Sequence, residues 1–292
     1  MTITTFGVLG AGTLGWRIGL QAAISGFDVL MLDVSDDVLA TAQRLQSELL
    51  EKLIRRGRVT EEPPRAILQR IATTTDGAAF AKTVDFVSES VTENLELKRR
   101  VWSGLAGKWK PDILLTTNTS YLLPSQMAQA SGDPANFCAF HFHDVFEARV
   151  VDVMPHPGTA ERVVDELLAL GRRLHQIPVH VQQETKGYLF NAMLMSYLGA
   201  AGHLLAQGKG SVEDIDRSWM GNFGVGVGPF GMMDQIGLDT VRHVLSSQTD
   251  RRSLAFAELI DPYVKAGKLG VKTGEGFYTY PKPRYRDADF LA

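Results

Sequence analysis

"ITTFGVLGAGTLGWRIGLQAAISGFDVLMLD", residues 3–33, carries the clearest fold signal in the chain. Residues 3–12 are a short β-rich run ending in glycines, and 13–26 read as a helix with Gly26 as its stop signal. Residues 27–33 are a second apolar run, too short for a helix and suited to a buried strand. At the first junction stands GAGTLG (10–15), a G-x-G-x-x-G. Glycine triplets also occur in ordinary turns, but strand, helix and second strand ending in Asp33 is the context of a dinucleotide site. Gly10 allows the tight turn. Gly12 has no Cβ, so a pyrophosphate can approach the backbone beside Thr13 and Leu14. Gly15 lets helix and strand pack closely. The helix N-terminus offers free N–H groups and partial positive charge to phosphates. A carboxylate at Asp33 accepts from ribose hydroxyls and repels the extra phosphate of NADP. Neither Val34 nor Ser35 offsets it, so NAD is the expected cofactor.

Outward from this unit the pattern repeats. Ser35 is placed to cap a long amphipathic helix over about 36–57. Residues 84–90, 113–118, 137–142, 149–154 and 177–182 read as further strands, with helical segments between several of them. Alternation of this kind predicts an α/β domain with a mainly parallel sheet covered on both faces. Between 187 and 275 no strand signal appears, and helices are expected over 187–208, from 212, over 239–248 and over 253–267. The expected division is an α/β domain over 1–183 and an all-α domain over 184–292, with an irregular tail from 280.

Composition sets bounds on partners. The chain has 292 residues, 45% hydrophobic and 22% charged, with a formal charge of −3, and it carries no long basic run. That disfavours nucleic acid. The short basic cluster EKLIRRGRV (51–59) is either a solvated helix face or a landing site for a phosphate. A lone cysteine, Cys138, excludes an intrachain disulfide and fits a buried thiol in a reducing compartment. The opening residues lack a signal-peptide pattern, and no run of about 20 uninterrupted apolar residues marks a membrane span. A cytoplasmic enzyme is the expectation.

The chemistry-bearing residues concentrate in AFHFHDVFEARVVDV (139–153). His141 and His143 share a strand face if the strand runs on regularly. Asp144, Glu147 and Asp152 are the carboxylates within reach. Histidine titrates near neutrality and suits proton transfer at an alcohol. No metal is expected: hydride transfer to NAD needs none, and no open ligand set is evident.

The order of motifs resembles the 3-hydroxyacyl-CoA dehydrogenase family over nearly the whole chain. GAGTLG and Asp33 match its cofactor fingerprint; TENLELK (92–98) is similar to its V-E-N-L-x-x-K, TNTS (117–120) to its N-T-S, and FHF to its H-F-F. Asn191, GPFGMMDQIGLD (228–239) and KTGEGFYTY (272–280) match helical-domain signatures. The resemblance implies a Rossmann-like NAD-binding domain followed by a helical domain that forms a homodimer, and a small-molecule substrate. By the same resemblance His141 is the catalytic base, and Ser120 and Asn191 hold the substrate oxygens. Glu93 and Asn118 border the nicotinamide, and Lys98 meets a phosphate-bearing part of substrate or cofactor. Each also has a plain structural reading: a turn for Asn118 and Ser120, a core amide for Asn191, solvated charges for Glu93 and Lys98.

Departures from the family pattern cluster near the histidines. The family reads H-F-F-N-P with a glutamate twelve residues after the histidine; here the run is HFHDV and position 153 is valine. Asp152, one residue early, is the expected orienting acid, with Glu147 as fallback and Asp144 in a turn. His143 replaces a phenylalanine, and is either bonded to backbone or a contact to substrate. Tyr121, Lys186, Trp16 and Arg17 also depart. Together they allow an acyl-CoA, a carrier-protein thioester or a free 3-hydroxy acid as substrate. A crystallin-like NAD-binding dimer with little activity would require a broken His–acid pair.

Overall fold

The structure, a computed structural model, describes residues 3–59, 62–246 and 251–292. The described residues contain one eight-stranded sheet: β1 (Thr5–Leu9), β2 (Asp28–Leu32), β3 (Ile71–Thr74), β4 (Phe86–Glu89), β5 (Leu114–Thr117), β6 (Phe137–Phe142), β7 (Val150–Pro155) and β8 (Ile177–His180). The spatial order is β3-β2-β1-β4-β5-β6-β7-β8. β1 to β6 pair in parallel, β7 runs antiparallel to β6, and β8 is parallel to β7. Every residue of β4, β5 and β6 is buried, as expected where helices cover both faces of a parallel sheet. Alternate residues feed opposite cores. Phe6, Phe86, Leu114 and Phe140 pack on one face, while Leu9, Val87, Leu115 and Phe137 pack on the other. The chain reverses its order between β1 and β4. At that switch point ligands bind beyond the carboxyl ends of the strands.

The helix Asp36–Arg55 starts where Ser35 places it, with Ser35 Oγ accepting from Val38 N at 3.4 Å. β3 was not expected. Its IATT has too few apolar residues to stand out, and it is a four-residue strand at the sheet edge.

The first compact unit ends at Leu189, six residues beyond the expected boundary at 183. Tyr188 explains the shift. It opens the helix Tyr188–Ala206, yet its side chain is fully buried with Ala139, Met154 and Val181 of the first unit.

The second unit, Phe190–Ala292, is helical: Val212–Phe223, Pro229–Ile236, Leu238–Ser246 and Arg251–Lys265 follow the helix Tyr188–Ala206. Residues 247 and 248 of the expected helix lie outside the described residues. Its core is Leu198, Met220, Phe230, Met233, Phe256 and Ile260. Two buried aspartates tie its loops together. Asp216 accepts from Phe230 N (2.8 Å) and Gly231 N (3.0 Å), and Asp234 accepts from Phe277 N (2.9 Å) and Tyr278 N (2.8 Å). A Cβ on Gly276 would lie 2.1 Å from Asp234 Oδ1, so glycine there lets 228–239 and 272–280 lock together. Burial pushes the Asp216 carboxyl up to about 6. The helix Tyr188–Ala206, mean hydropathy 1.3, is long and apolar enough by length and composition to cross a membrane. Asn191, Ser196 and His203 interrupt it, which is why no unbroken apolar run stands out in the sequence.

Candidate active site

The glycine loop sits at the switch point. Gly10 has φ +99°, and a Cβ there would lie 2.9 Å from the backbone of Ser90 and Val91, where β4 ends. Only glycine combines that dihedral with that approach. A Cβ on Gly15 would lie 1.9 Å from Gly10 O, so the closest packing Gly15 allows is against the loop itself. Gly12 differs: a Cβ there would meet nothing within 4 Å. It is exposed with Thr13, and Leu14 caps the helix Gly15–Ile24 with no side-chain bond; of the first N–H groups Trp16 N donates to Gly12 O at 3.3 Å, and no side chain competes for the others at the cap. A cleft of about 480 Å³ opens beside it, lined by Gly12, Thr13, Trp16, Val38, Thr41 and Leu45. The open space at Gly12 and the uncapped helix end fit a bound dinucleotide pyrophosphate. Asp33, at the end of β2, accepts from Ala11 N (2.9 Å) and Val34 N (2.8 Å), which fixes its carboxylate at the loop.

The next strand ends carry a charged network. Glu89 is fully buried. Its Oε1 accepts from Lys98 Nζ (2.7 Å) and Val91 N (2.8 Å), and its Oε2 from Thr117 Oγ1 (2.7 Å). Lys98 is 1% exposed and also donates to Val91 O at 3.1 Å. This corrects the expectation for Lys98. Its ammonium is committed to Glu89, with Glu93 Oε2 at 3.5 Å, and is not offered to a phosphate. Glu93 is 41% exposed at its side chain and grips the 117–120 loop. Its Oε1 accepts from Thr119 Oγ1, Ser120 N (3.1 Å) and Tyr121 N (3.2 Å). Asn118 accepts from Phe142 N (2.8 Å) and donates to Ser90 Oγ (3.2 Å), joining the ends of β4, β5 and β6. Ser120 is exposed beyond it. Glu89, Ser90 and Thr119 escaped the sequence reading; only the fold brings these strand ends together.

β6 and β7 set the histidines against their acid. The antiparallel register pairs His141 with Asp152 directly. His141 Nδ1 lies 3.2 Å from Asp152 Oδ2, with both side chains buried. Of the two other carboxylates considered, Asp144 accepts twice from Arg17 (3.0 and 2.9 Å) and from Phe146 N and Glu147 N. Glu147 is exposed and pairs with Arg58 at 3.1 Å and Arg56 at 3.5 Å. The basic cluster therefore meets Glu147, and Arg17 meets Asp144. His143 was expected on backbone or substrate. Its Nε2 instead lies 2.7 Å from the same Asp152 oxygen. Burial lowers the His141 pKa below its usual value, against the raising effect of the Asp152 bond; the charge of His143 lowers it further. Burial raises the Asp152 carboxyl, but the two histidines outweigh it and hold it below the usual range.

Tyr188, also in the first unit, was not singled out in the sequence. It follows Gly187 in a left-handed backbone (φ +53°) and stacks on His141 at 4.6 Å and 14°. Its hydroxyl donates to Thr119 O at 2.7 Å. Lys186 lies over the Tyr121 ring at 5.7 Å. Asn191 stands on the same helix as Tyr188 but belongs to the second unit. His141, His143 and Asp152 also bring three potential ligand atoms within 4.8 Å of one another.

Comparison with known proteins identifies a family over nearly the whole chain. Residues 5–185 match the family model for the 3-hydroxyacyl-CoA dehydrogenase NAD binding domain, and 187–280 match that for its C-terminal domain. The chain is 31% identical over 284 residues to the mitochondrial hydroxyacyl-coenzyme A dehydrogenase of Rattus norvegicus, covering 94% of this chain and 90% of that protein. It is 34% identical over 278 residues to the fatty acid oxidation complex subunit alpha of Psychrobacter cryohalolentis, covering 94% of this chain and 38% of that longer protein. Among solved structures, a diketoreductase described as acting on dicarbonyl compounds superposes with a TM-score of 0.90 at 32% identity, covering 96% of this chain and 100% of that one.

Proposed function

The chain belongs to the 3-hydroxyacyl-CoA dehydrogenase family and is an NAD-dependent oxidoreductase, and from that premise we propose that His141 is its general base, oriented by Asp152, acting on the 3-hydroxyl of an L-3-hydroxyacyl-CoA. The observation that carries this is the His141–Asp152 pair, set by strand register. With Asp152 ionised, the bond requires a proton on Nδ1, which leaves the lone pair on Nε2. Nε2 takes the hydroxyl proton during oxidation and returns it during reduction. Asp152 stabilises the imidazolium that forms, as carboxylates do in other His–acid pairs. Tyr188, stacked on the ring, limits its rotation. Bound NAD accepts or supplies the hydride. The Gly10–Gly15 loop and Asp33 would hold its pyrophosphate and ribose, and Glu93 and Asn118 would shape the nicotinamide end. Ser120 and Asn191 are assigned to the substrate oxygens.

The His141–Asp152 pair supports this reading over a little-active crystallin-like protein. A second reading keeps the reaction and changes the substrate to a free 3-hydroxy acid or a carrier-protein thioester. The likeness to the diketoreductase supports it, as do the polar changes at His143 and Lys186. We also propose a cytoplasmic homodimer. Exposed Met193 and Leu204 on the apolar helix of the second unit support the dimer, and sedimentation as a monomer at micromolar concentration would contradict it. The direct test of the base is His141→Asn. NADH formation should fall by about 10²–10⁴ while NADH binds as in the parent; retained turnover would refute the assignment.

A further inference from the structure

His141 and His143 converge on one oxygen of Asp152, and the three ligand atoms lie within 4.8 Å of one another. We propose that these side chains form a binding site for a divalent transition ion of the Zn²⁺ type, and that an ion bound there switches the dehydrogenase off. The inhibitory half rests on His141 as the base; the binding half does not.

The donors suit that class of ion. Two imidazoles and a carboxylate favour Zn²⁺ and its neighbours, whereas Mg²⁺ and Ca²⁺ seek oxygen ligands. With bonds of about 2.0–2.2 Å, a tetrahedral ion holds its donors roughly 3.3–3.5 Å apart. The two N···O separations, 3.2 and 2.7 Å, must open slightly, and the two ring nitrogens, within 4.8 Å of each other, must sit about 3.3–3.5 Å apart, which side-chain rotation at the three donors would have to supply. The group is also held in place. His141 and Asp152 are fixed opposite each other by the β6–β7 ladder, His141 is stacked on Tyr188, and the two imidazole centroids are 4.7 Å apart. Three protein donors leave a fourth position for water or a substrate oxygen, as in open zinc sites.

Coordination would silence the base through its tautomer. Without an ion, Asp152 accepts N–H bonds from His141 Nδ1 and His143 Nε2. An ion takes the lone pair at each of those atoms, so the ring proton of His141 moves from Nδ1 to Nε2 and that of His143 from Nε2 to Nδ1. No proton leaves, no group is oxidised, and each imidazole stays neutral. His141 then presents N–H at Nε2, where the reaction needs a lone pair. The ion blocks catalysis through the tautomer, with side-chain adjustment confined to the three donors.

The test is a Co²⁺ titration of the full chain with NAD bound, followed by visible absorption and by NADH formation from an L-3-hydroxyacyl-CoA. The expected result is one Co²⁺ per chain with the absorption of a four- or five-coordinate ion, displaced by Zn²⁺. Turnover should fall in step with occupancy and return with EDTA. His143→Phe and Asp152→Asn should each weaken binding by more than the roughly 10–100-fold typical of lost outer contacts to a metal site. Nitrogen-15 spectra of labelled histidine should show the His141 proton moving to Nε2 when Zn²⁺ is added. Absence of Co²⁺ absorption at excess metal, or unweakened binding by His143→Phe, would overturn the site; full turnover with the ion bound would overturn the switch. If either variant fails to fold, the parent's absorption and nitrogen-15 spectra still decide. If the chain oxidises no 3-hydroxyacyl-CoA, the assigned reaction fails, while those two spectra report on the site alone.

Discussion

Replacing Asp152 with asparagine isolates the charge that orients the base. The side chain keeps its size, and its place opposite His141 in the β6–β7 ladder is unchanged. What is lost is the carboxylate 3.2 Å from His141 Nδ1. In the transition state His141 gains a positive charge while almost wholly buried. Two unit charges about 4 Å apart attract by about 4 kcal/mol at an effective dielectric constant of about 20. That corresponds to about three powers of ten in rate. We therefore expect Asp152→Asn to lower kcat about 10³-fold. NADH affinity, measured by fluorescence titration, should be unchanged, because the glycine loop and Asp33 lie at other strand ends. The acid limb of kcat/KM should also move to lower pH. The carboxylate raises the His141 pKa, so its loss deepens the depression that burial causes. A fall of less than tenfold, or one that tracks weakened NADH binding, would refute the role given to Asp152.

The glycines make opposite predictions. Gly12→Ala should leave the melting temperature nearly unchanged, since the new methyl meets nothing within 4 Å, while weakening NADH binding at least tenfold. Gly15→Ala drives a methyl to 1.9 Å from Gly10 O and should destabilise the fold by about 3 kcal/mol or more, read by denaturant unfolding. Asp33→Asn should lower the preference for NAD over NADP in steady-state kinetics. Lys98→Met leaves Glu89 charged and buried, so stability should fall by about 3–5 kcal/mol; a raised KM for NAD with an unchanged melt would restore Lys98 to the cofactor. Asp85 is held at about 2 by Lys110 and by Thr4 and Thr5, against the raising effect of burial. Its folded pKa is depressed, so its contribution is present above the usual carboxylate range and lost as pH falls towards 2. Asp85→Asn should be less stable than the parent at pH 7, and the two melts should converge near pH 2.

The sequence revealed parts of this account that depend on local pattern. The glycine loop is read from residues that touch one another along the chain, and Asp33 follows from the end of the next strand. Asp152 could be named from the sequence despite its one-residue displacement because few carboxylates follow His141; the antiparallel register of this chain sets 141 opposite 152. What was hidden depends on long-range approach. Lys98 reads as a surface or phosphate-binding charge until the fold brings it to Glu89 at the buried end of β4. Tyr188 looks like the first residue of a helix, and only the left-handed backbone at 187 and 188 turns it onto His141. The shared use of Asp152 by His143 was invisible because spacing fixes a face and not a side chain's reach. β3 is a four-residue edge strand, too short for a periodic signal.

The most direct measurement is NADH formation by the full chain across a matched panel: L-3-hydroxyacyl-CoA, the same acyl groups on a carrier protein, and the free 3-hydroxy acids, each with the parent and with His141→Asn. We expect the CoA thioesters to give the highest kcat/KM and the substitution to remove turnover on all of them. Higher kcat/KM on the free acids would move the substrate to the second reading, and turnover that survives without His141 would contradict the account at its centre.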